Sequence, residues 1–455
     1  MDTESLRASI TTQTVREDLN FATLRKDLNF FMSNISESLK LDNNVHYNLL
    51  LRPFYKLFVI FFCVSLVILV VFDWIELYLT TELVAKRNLR AFLFIGFLIG
   101  VIDPTLRQKG RRFFVFFPLI AVCYLFFTYA LFEADMADGL YYAIRIIYWI
   151  LGTFFVYKML LAQYLTHKHI VAVIYAVVCI YSVMVFYFMF NPAIRFTQNL
   201  SIYVLLWCIP LLIIQKRTNL NKLFLFLSTV SIFLCFKRGA SVALILSTFI
   251  YLFFYFLQNR SFKMGFKLLF IFLGVLLILV SALIVINETR PDFFEKRTSD
   301  ITDKDRIGSG RGGFYRGVLN SYFQSFYSEP EKFFFGHGSR SVQKTTAGFL
   351  GGHGVFAHSD WLQVMPDYGL LGVLIFMWLH FSIIRLVYIG MQTKNQMAPA
   401  LAMTYTIFSL SSIYSGQIFS PNTIYFGIFI SFYYVNCSEN RRAHFSFPDL
   451  RNGTR

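Results

Sequence analysis

The segment LLFIFLGVLLILVSALIVI, residues 268–286, contains no charged side chain. A helix needs about 20 apolar residues to cross the roughly 30 Å hydrocarbon core of a bilayer, so this segment predicts a transmembrane helix. Similar apolar segments recur along the whole chain. With this one, the predicted spans are 54–72, 90–103, 113–132, 140–163, 170–190, 199–214, 222–236, 240–257, 268–286, 365–389, 397–414 and 422–436.

The composition excludes a soluble protein of this length. Of the 455 residues, 56% are hydrophobic and 15% are charged, whereas soluble domains have roughly 25% charged residues. The mean hydropathy is +0.56. The sequence therefore predicts an all-α integral membrane protein with about 12 transmembrane helices.

The positive charges predict the orientation of these spans. The formal net charge is +16, which in a soluble chain would suggest nucleic acid as a partner. Here, successive connections alternate between basic and nearly free of Lys and Arg, with Lys86, Arg87 and Arg90 as exceptions. Basic connections stay in the cytoplasm, so both termini are predicted to be cytoplasmic and no nucleic acid is needed. The basic connections contain Arg107–Arg112, Lys168, Lys216–Lys222, Arg260–Lys267, Lys394 and Arg441–Arg442.

One connection is much longer than the others and falls on the outer side of the membrane. Long loops held by a rigid scaffold often carry function, so we expect the active site there. The predicted organisation is a cytoplasmic tail at 1–53, nine spans at 54–286, an outer catalytic loop at 287–364, three spans at 365–436 and a cytoplasmic tail at 437–455. The first tail is either a helix on the inner membrane surface or loosely ordered.

Basic residues occur on the outer side, where orientation does not require them. Lys237 and Arg238 separate two apolar segments, and a charge at mid-membrane depth costs about 2.5–3.5 kcal/mol on insertion scales. An anionic partner would offset that cost, although interfacial snorkelling of both side chains is the alternative. Arg195 lies in another short outer connection.

A glycine cluster in the outer loop combines backbone freedom with arginine. The sequence Gly308-Ser-Gly-Arg311-Gly-Gly-Phe-Tyr315-Arg316 runs into a helix predicted over 314–325. Glycine lets backbone N–H groups approach a ligand, and arginine binds two phosphate oxygens at once, so a phosphorylated substrate would fit. An ordinary turn before a helix is the alternative reading.

Two histidines follow in the same loop. His337 lies in Phe-Gly-His-Gly, and His358 lies in His-Ser-Asp-Trp-Leu-Gln just before the tenth span. A neutral imidazole at the outer membrane face can take a proton from a hydroxyl. Asp360 could orient the ring of His358 or cap the following helix. Each histidine alone is more often a surface residue.

The sequence of the outer loop does not favour a metal site or a disulfide. Asp303 and Asp305 are a candidate acidic pair, but alternating carboxylates in a charged stretch are usually solvated. All cysteines lie elsewhere, in the spans or at the end of the last one: Cys63, Cys123, Cys179, Cys208, Cys235 and Cys437. We predict neither a metal nor a cofactor.

Together these motifs resemble the bacterial O-antigen polymerase and O-antigen ligase family. The resemblance covers roughly residues 190–390 and the twelve-span layout. One departure is Ser359, where the family usually has asparagine. The matching motifs are Lys237-Arg238-Gly-Ala, Ser309-Gly-Arg311, Phe335-Gly-His-Gly, His358-Ser-Asp-Trp-Leu-Gln and Asp367-Tyr-Gly-Leu-Leu-Gly.

The resemblance implies a membrane-embedded glycosyltransferase of the GT-C-like O-antigen fold in the bacterial cytoplasmic (inner) membrane. Its substrates would be undecaprenyl-diphosphate-linked oligosaccharides, and its protein partners a chain-length regulator and a flippase. Arg238, Arg311 and Arg195 would bind the diphosphate, and His358 would be the catalytic base, without a metal. Supporting positions would be Asp360, Arg316, Tyr315, His337 and Lys237.

The predicted function is polymerisation of O-antigen, capsule or exopolysaccharide repeat units. Inversion is expected, because one base and no evident pair of carboxylates are present. The O-antigen ligase, which transfers the glycan to the lipid A core of lipopolysaccharide, is the alternative. A transporter or lipid flippase is a third reading, but the sequence has no internal repeat of the kind that transporters show.

Overall fold

A computed structural model of the protein describes part of the chain. The described residues are 53–76, 83–103, 120–121, 123–125, 128, 136–191, 201–215, 218–259, 262–302, 311–349, 357–416 and 420–445. By its internal contacts the chain divides into two units, residues 1–58 and residues 59–455, and the second unit contains every predicted site residue. Within the described ranges, the regular structure is helical throughout, which confirms the predicted all-α class.

Fifteen α-helices and one 3₁₀ turn, Pro421–Thr423, can be followed through the described ranges. The helices are α1 Pro53–Glu76, α2 Val84–Ile102, α3 Met136–Leu161, α4 His167–Phe190, α5 Ser201–Ile213, α6 Asn219–Leu234, α7 Arg238–Asn259, α8 Phe262–Thr289, α9 Pro291–Thr302, α10 Arg311–Ser328, α11 Pro330–Phe335, α12 Ser341–Phe349, α13 Asp360–Gln392, α14 Ala398–Tyr414 and α15 Ile424–Phe445.

Six of these helices are long and apolar enough to cross a membrane: α1, α3, α4, α7, α8 and α13. The helices α5 and α6 are apolar but shorter. These findings support a membrane protein, while the total of about 12 spans and the side on which each connection lies stay predictions. Most of the predicted third span, 113–132, falls outside the described residues.

The helix α8 has the surface of a lipid-facing span. Phe270 and Leu277 are 70% and 67% exposed. Of the 18 consecutive residues of α8 that are most apolar, only 11% are buried. Soluble monomers rarely expose an apolar surface that runs along a whole helix. The exposed side of α8 is therefore suited to the acyl chains of a bilayer.

The core is built around aromatic rings and close helix contacts. The rings of Phe408 and Phe426 stack with centroids 4.6 Å apart, and Trp207 lies 5.5 Å from Phe426. A Cβ on Gly427 would lie 1.9 Å from Oγ1 of Thr153, so the glycine lets α15 approach α3 closely. This core holds α3, α5, α14 and α15 together.

One of the three cations that break the charge alternation is neutralised inside the protein. Lys86 is buried and forms ion pairs with Asp73, at 2.5 Å, and with Glu76. The Asp73 carboxylate also accepts a hydrogen bond of 2.7 Å from the Tyr181 hydroxyl. Lys86 therefore has a structural role that accounts for its place outside the basic connections.

The described part of the predicted outer loop contains four complete helices, α9 to α12. Its predicted helix over 314–325 is confirmed but longer, as α10 covers Arg311–Ser328. The tenth span begins earlier than predicted, at Asp360, and continues to Gln392. It is kinked at Gly369, where φ is 64° and ψ is −166°.

Candidate active site

The turn after α11 docks against the kink of α13. The backbone N–H of His337 donates to the carbonyl oxygen of Pro366 at 2.8 Å, and that of Gly338 donates to Asp367 at 3.1 Å. A regular helix would use both carbonyls for residues four positions on, but the non-helical Gly369 interrupts α13 there. Two motifs that are about 30 residues apart in sequence are therefore in direct contact.

Only glycine fits at the two closest points of this junction. A Cβ on Gly336, where φ is 92°, would lie 2.2 Å from the carbonyl oxygen of Asp367. A Cβ on Gly369 would lie 2.5 Å from the backbone nitrogen of Gly336. Both residues also have positive φ, which side chains disfavour.

The carboxylate of Asp367 is buried and accepts four hydrogen bonds. Its Oδ1 accepts from the backbone N–H of Ser341 at 2.8 Å and from the Ser341 hydroxyl at 2.6 Å. Its Oδ2 accepts from the backbone N–H of Arg340 at 3.1 Å and from Nε2 of Gln363 at 2.7 Å. Because Ser341 begins α12, the carboxylate satisfies N–H groups at the start of that helix.

His358 lies between two backbone groups that Gln363 holds. The side-chain Oε1 of Gln363 accepts from the N–H of Ala357 at 3.2 Å. The backbone N–H of Gln363 donates to the carbonyl oxygen of Ser359 at 3.0 Å. His358 itself is half-buried and has a φ of 52°. This left-handed conformation is sparsely populated for residues with a side chain and often marks functional sites.

Asp360 is fully buried and begins α13. The connection that follows α14 passes directly beside it. A Cβ on Gly416 would lie 3.7 Å from Oδ1 of Asp360 and 3.8 Å from the backbone nitrogen of Ser359. Residues 357–359, which we call the histidine turn, are therefore packed against the connection that follows α14.

The predicted cation pair lies at the start of α7. Phe236, just before it, has a φ of 46° and stacks on Phe294 at 5.6 Å. The ammonium of Lys237 lies 4.5 Å above the ring of Tyr203, and Arg238 is the first residue of the helix. A left-handed residue and an aromatic stack thus fix the direction in which the pair enters α7.

The end of α14 joins the cation pair to the histidine turn. A Cβ on Gly239 would lie 3.3 Å from Cβ of Tyr414. Two residues later, Gly416 lies beside the backbone of His358 and Ser359. Arg238 and His358 are therefore at the same end of the bundle, on either side of one short segment.

The other predicted site residues lie in several places. Tyr315 is half-buried and Arg316 is exposed on α10, which packs against α11 and α13. Arg311 begins α10, but its side chain is outside the described part of the structure, and so is all of Arg195. Their roles stay predictions.

His337 is half-buried in the docked turn. Burial lowers its pKa below the ordinary value of 6.5 because it disfavours the charged imidazolium, and nearby Lys332 lowers it further. Glu329 acts in the opposite direction but more weakly. His337 is therefore neutral near pH 7, the form that a proton acceptor requires.

No group of three His, Cys, Asp or Glu side chains that could hold a metal ion occurs in the described ranges. Asp303 and Asp305, the acidic pair considered above, lie outside those ranges. The prediction that the reaction needs no metal is left for experiment.

Three residues of this arrangement were absent from the predicted site. Asp367 had a signal, because a carboxylate in an otherwise apolar segment needs a buried partner. Gln363 had a weaker one, since its i, i+4 spacing from Asp367 places both on one face of a helix. Nothing in the sequence around Gly416 indicates that it would lie beside His358.

The comparison with protein families agrees with the motifs. The family model described as O-antigen ligase matches residues 223–377, which include the cation pair, the glycine cluster, the docked turn and the histidine turn. No curated protein and no solved structure matches the chain. Residues 223–377 are thus similar to the O-antigen ligase family, in agreement with the family that the motifs resemble.

Proposed function

We propose that the protein polymerises polysaccharide repeat units carried on undecaprenyl diphosphate at the outer face of the bacterial cytoplasmic membrane. The family match supports glycan transfer in general. Polymerisation, the lipid diphosphate and the outer face are this proposal's own additions. Both termini are cytoplasmic in this account, and the polymer is an O-antigen, capsule or exopolysaccharide.

The positions of Tyr414 beside Gly239 and of Gly416 beside the histidine turn carry the proposal. It supports a site in which the donor diphosphate binds at Arg238 while the sugar that it carries extends toward His358. Cations arranged before the reaction stabilise the charge that develops on a leaving diphosphate without reorganisation. In the proposal, Arg311 and Arg195 complete the diphosphate clamp.

The proposed reaction is a single displacement at the anomeric carbon. The hydroxyl oxygen of the acceptor forms the new glycosidic bond and gives its proton to the imidazole of His358. The bond between the anomeric carbon and the phosphate oxygen breaks, and undecaprenyl diphosphate leaves with the electron pair. Attack on the face opposite the leaving group inverts the anomeric configuration.

The ligase reaction is the second candidate, because the matching family model is described as O-antigen ligase and the match is compatible with both reactions. Donor, cations and base would be the same in both reactions, so the acceptor alone separates them. A polymerase uses another lipid-linked repeat unit, whereas a ligase uses the lipid A core.

The proposal is tested with purified protein, lipid-linked repeat units and excess chelator in detergent. We expect longer glycans and one undecaprenyl diphosphate released for each bond formed. Lipid A core added in a parallel reaction should stay unmodified, and its modification instead of elongation would establish the ligase. Transport of lipid-linked sugar across sealed vesicles, without any new bond, would replace both with the transporter.

A further inference from the structure

We propose that Asp367 and Gln363 are positioning residues for His358, an inference that rests on the proposed role of His358 as the base. In this account Asp367 fixes the side-chain amide of Gln363, and Gln363 fixes the backbone on both sides of the histidine. Neither residue touches the substrate. Their effect on the reaction is through the position of the imidazole.

The first step of the argument is the position of Gln363. Its backbone N–H and its side-chain Oε1 bond to Ser359 and Ala357, the two neighbours of His358. These two bonds define where the peptide units on either side of His358 lie. The left-handed φ of 52° at His358 then sets the direction of the Cα–Cβ bond that carries the imidazole.

The second step is the orientation of the Gln363 amide. An amide group has one accepting and one donating end of nearly the same shape, so either could face the N–H of Ala357. Only the accepting end makes a hydrogen bond there. Asp367 selects the orientation of the amide, because an ionised carboxylate accepts hydrogen bonds and never donates them. The Nε2 end of Gln363 therefore faces Asp367, at 2.7 Å from Oδ2, and the Oε1 end faces Ala357.

The third step is the fixed position of Asp367 itself. Its carboxylate is held by the N–H groups of Arg340 and Ser341 at the start of α12. Its backbone carbonyl is held by Gly338 in the docked turn. The outer-loop helices are therefore connected to the histidine turn by one unbroken series of hydrogen bonds.

Asp367→Asn should break this series while keeping the shape of the side chain. In the orientation that keeps an oxygen at Oδ1 for the two bonds from Ser341, the new amide nitrogen takes the place of Oδ2 and faces the donating Nε2 of Gln363 and the N–H of Arg340. The glutamine would have to flip, which would bring two donors together at Ala357. We expect kcat to fall by about 10- to 100-fold, as displacement of a catalytic group by about 1 Å can cost. The KM for the donor should change less than about threefold, because the arginines are untouched.

A swapped double variant tests the direction of the bonds. In Asp367→Asn with Gln363→Glu, the new amide donates to the new carboxylate, which still accepts from the N–H of Ala357. We expect kcat to recover by at least about fivefold over Asp367→Asn. Gln363→Met leaves the bonds between the Asp367 carboxylate and the start of α12 in place, and we expect it to lose as much kcat as Asp367→Asn. It is therefore the variant to measure if Asp367→Asn does not fold.

Ser341→Ala is the matched control, because it removes a bond of 2.6 Å from the other oxygen of the same carboxylate. It should retain kcat to within about twofold, since the bond to Gln363 and the N–H of Ser341 remain. If Ser341→Ala lost as much kcat as Asp367→Asn, or if the double variant showed no recovery, Asp367 would act only as a cap of α12. Unchanged kcat in Asp367→Asn and Gln363→Met would likewise overturn the proposal.

Hydrogen exchange separates this inference from the proposed function. In the full-length protein in detergent, the amide of Ala357 should exchange at least about tenfold faster in Gln363→Met than in the wild type and Ser341→Ala. This readout needs no substrate. A wild type that makes no polymer but shows this pattern would overturn the proposed function and keep the positioning network. Equal exchange in all variants would overturn the network.

Discussion

Gly336 and Gly369 face each other with no room for a side chain on either. A Cβ on Gly369 would lie 2.5 Å from the backbone nitrogen of Gly336, and one on Gly336 would lie 2.6 Å from Cα of Tyr368. Backbone on both sides of the contact cannot move aside as a flexible side chain would. This contact holds the His337 turn on α13 and so determines where the helices of the predicted outer loop join the bundle.

Alanine at either glycine should therefore destabilise the protein. We expect Gly336→Ala and Gly369→Ala each to cost at least about 2 kcal/mol, from positive φ and from overpacking against backbone. The measurement is the thermal unfolding midpoint in detergent. Gly317→Ala is the control, because a Cβ there meets nothing within 4 Å, and it should leave the midpoint equal or slightly higher. A Gly336→Ala protein as stable as Gly317→Ala would contradict the docked junction.

Arg238 should be required for donor binding in a way that lysine cannot replace. We expect Arg238→Ala to lower polymer formation about 100-fold, and Arg238→Lys to stay poor because an ammonium cannot bind two phosphate oxygens as a guanidinium does. Arg385→Ala, at an exposed position on α13, is the control and should behave as the wild type. Full polymer from Arg238→Ala at normal protein level would place the diphosphate elsewhere.

The orientation of the chain can be tested by cysteine labelling in a variant without native cysteines. The labelled position must be exposed, so Ser341 in the predicted outer loop is unsuitable, because it is buried and bonded to Asp367. Tyr327→Cys, at a site that is 87% exposed, should react with a membrane-impermeant thiol reagent in intact spheroplasts. Asn219→Cys, at the exposed start of α6, should react only after lysis. The opposite pattern would invert the predicted topology.

The lowered pKa of His337 has a consequence for stability. The unfolded chain binds a proton at an ordinary pKa of about 6.5 while the folded protein does so only at lower pH, so the folded state loses stability as the pH falls below about 6.5. His337→Gln removes this group. We expect its unfolding midpoint to fall less than that of the wild type between pH 7 and pH 5. If the unfolding midpoints of the wild type and His337→Gln fell equally with pH, the turn would not bury His337.

The sequence was a good guide to the helices, because length and hydrophobicity decide whether a segment can cross a bilayer. It predicted α14, for example, to within one residue of its start. The same rule hid the kink of α13, because Gly369 lies inside an apolar run that reads as continuous helix. Only the contact with Gly336 shows why the chain departs from helical geometry there.

The candidate site was predicted in part, for a related reason. Charged and titratable residues stand out from an apolar sequence, so Arg238 and His358 could be selected as candidates from the sequence alone. Gln363 and Gly416 come to lie beside the backbone around His358 only when the chain folds, and neither has an unusual sequence context. Pairing of distant segments, such as α14 with the histidine turn, carries no local sequence signal.

The central claim is that His358 takes the proton from the acceptor hydroxyl. The most direct measurement is single-turnover elongation by His358→Ala and His358→Gln, alongside the binding of labelled donor to each purified variant. We expect normal donor binding and turnover about 10² to 10⁴ times slower in both, because glutamine keeps a hydrogen-bonding group but not the basicity. Turnover at the wild-type rate in His358→Ala would contradict the claim and leave His337, or His353 in the same predicted loop, as the candidate base.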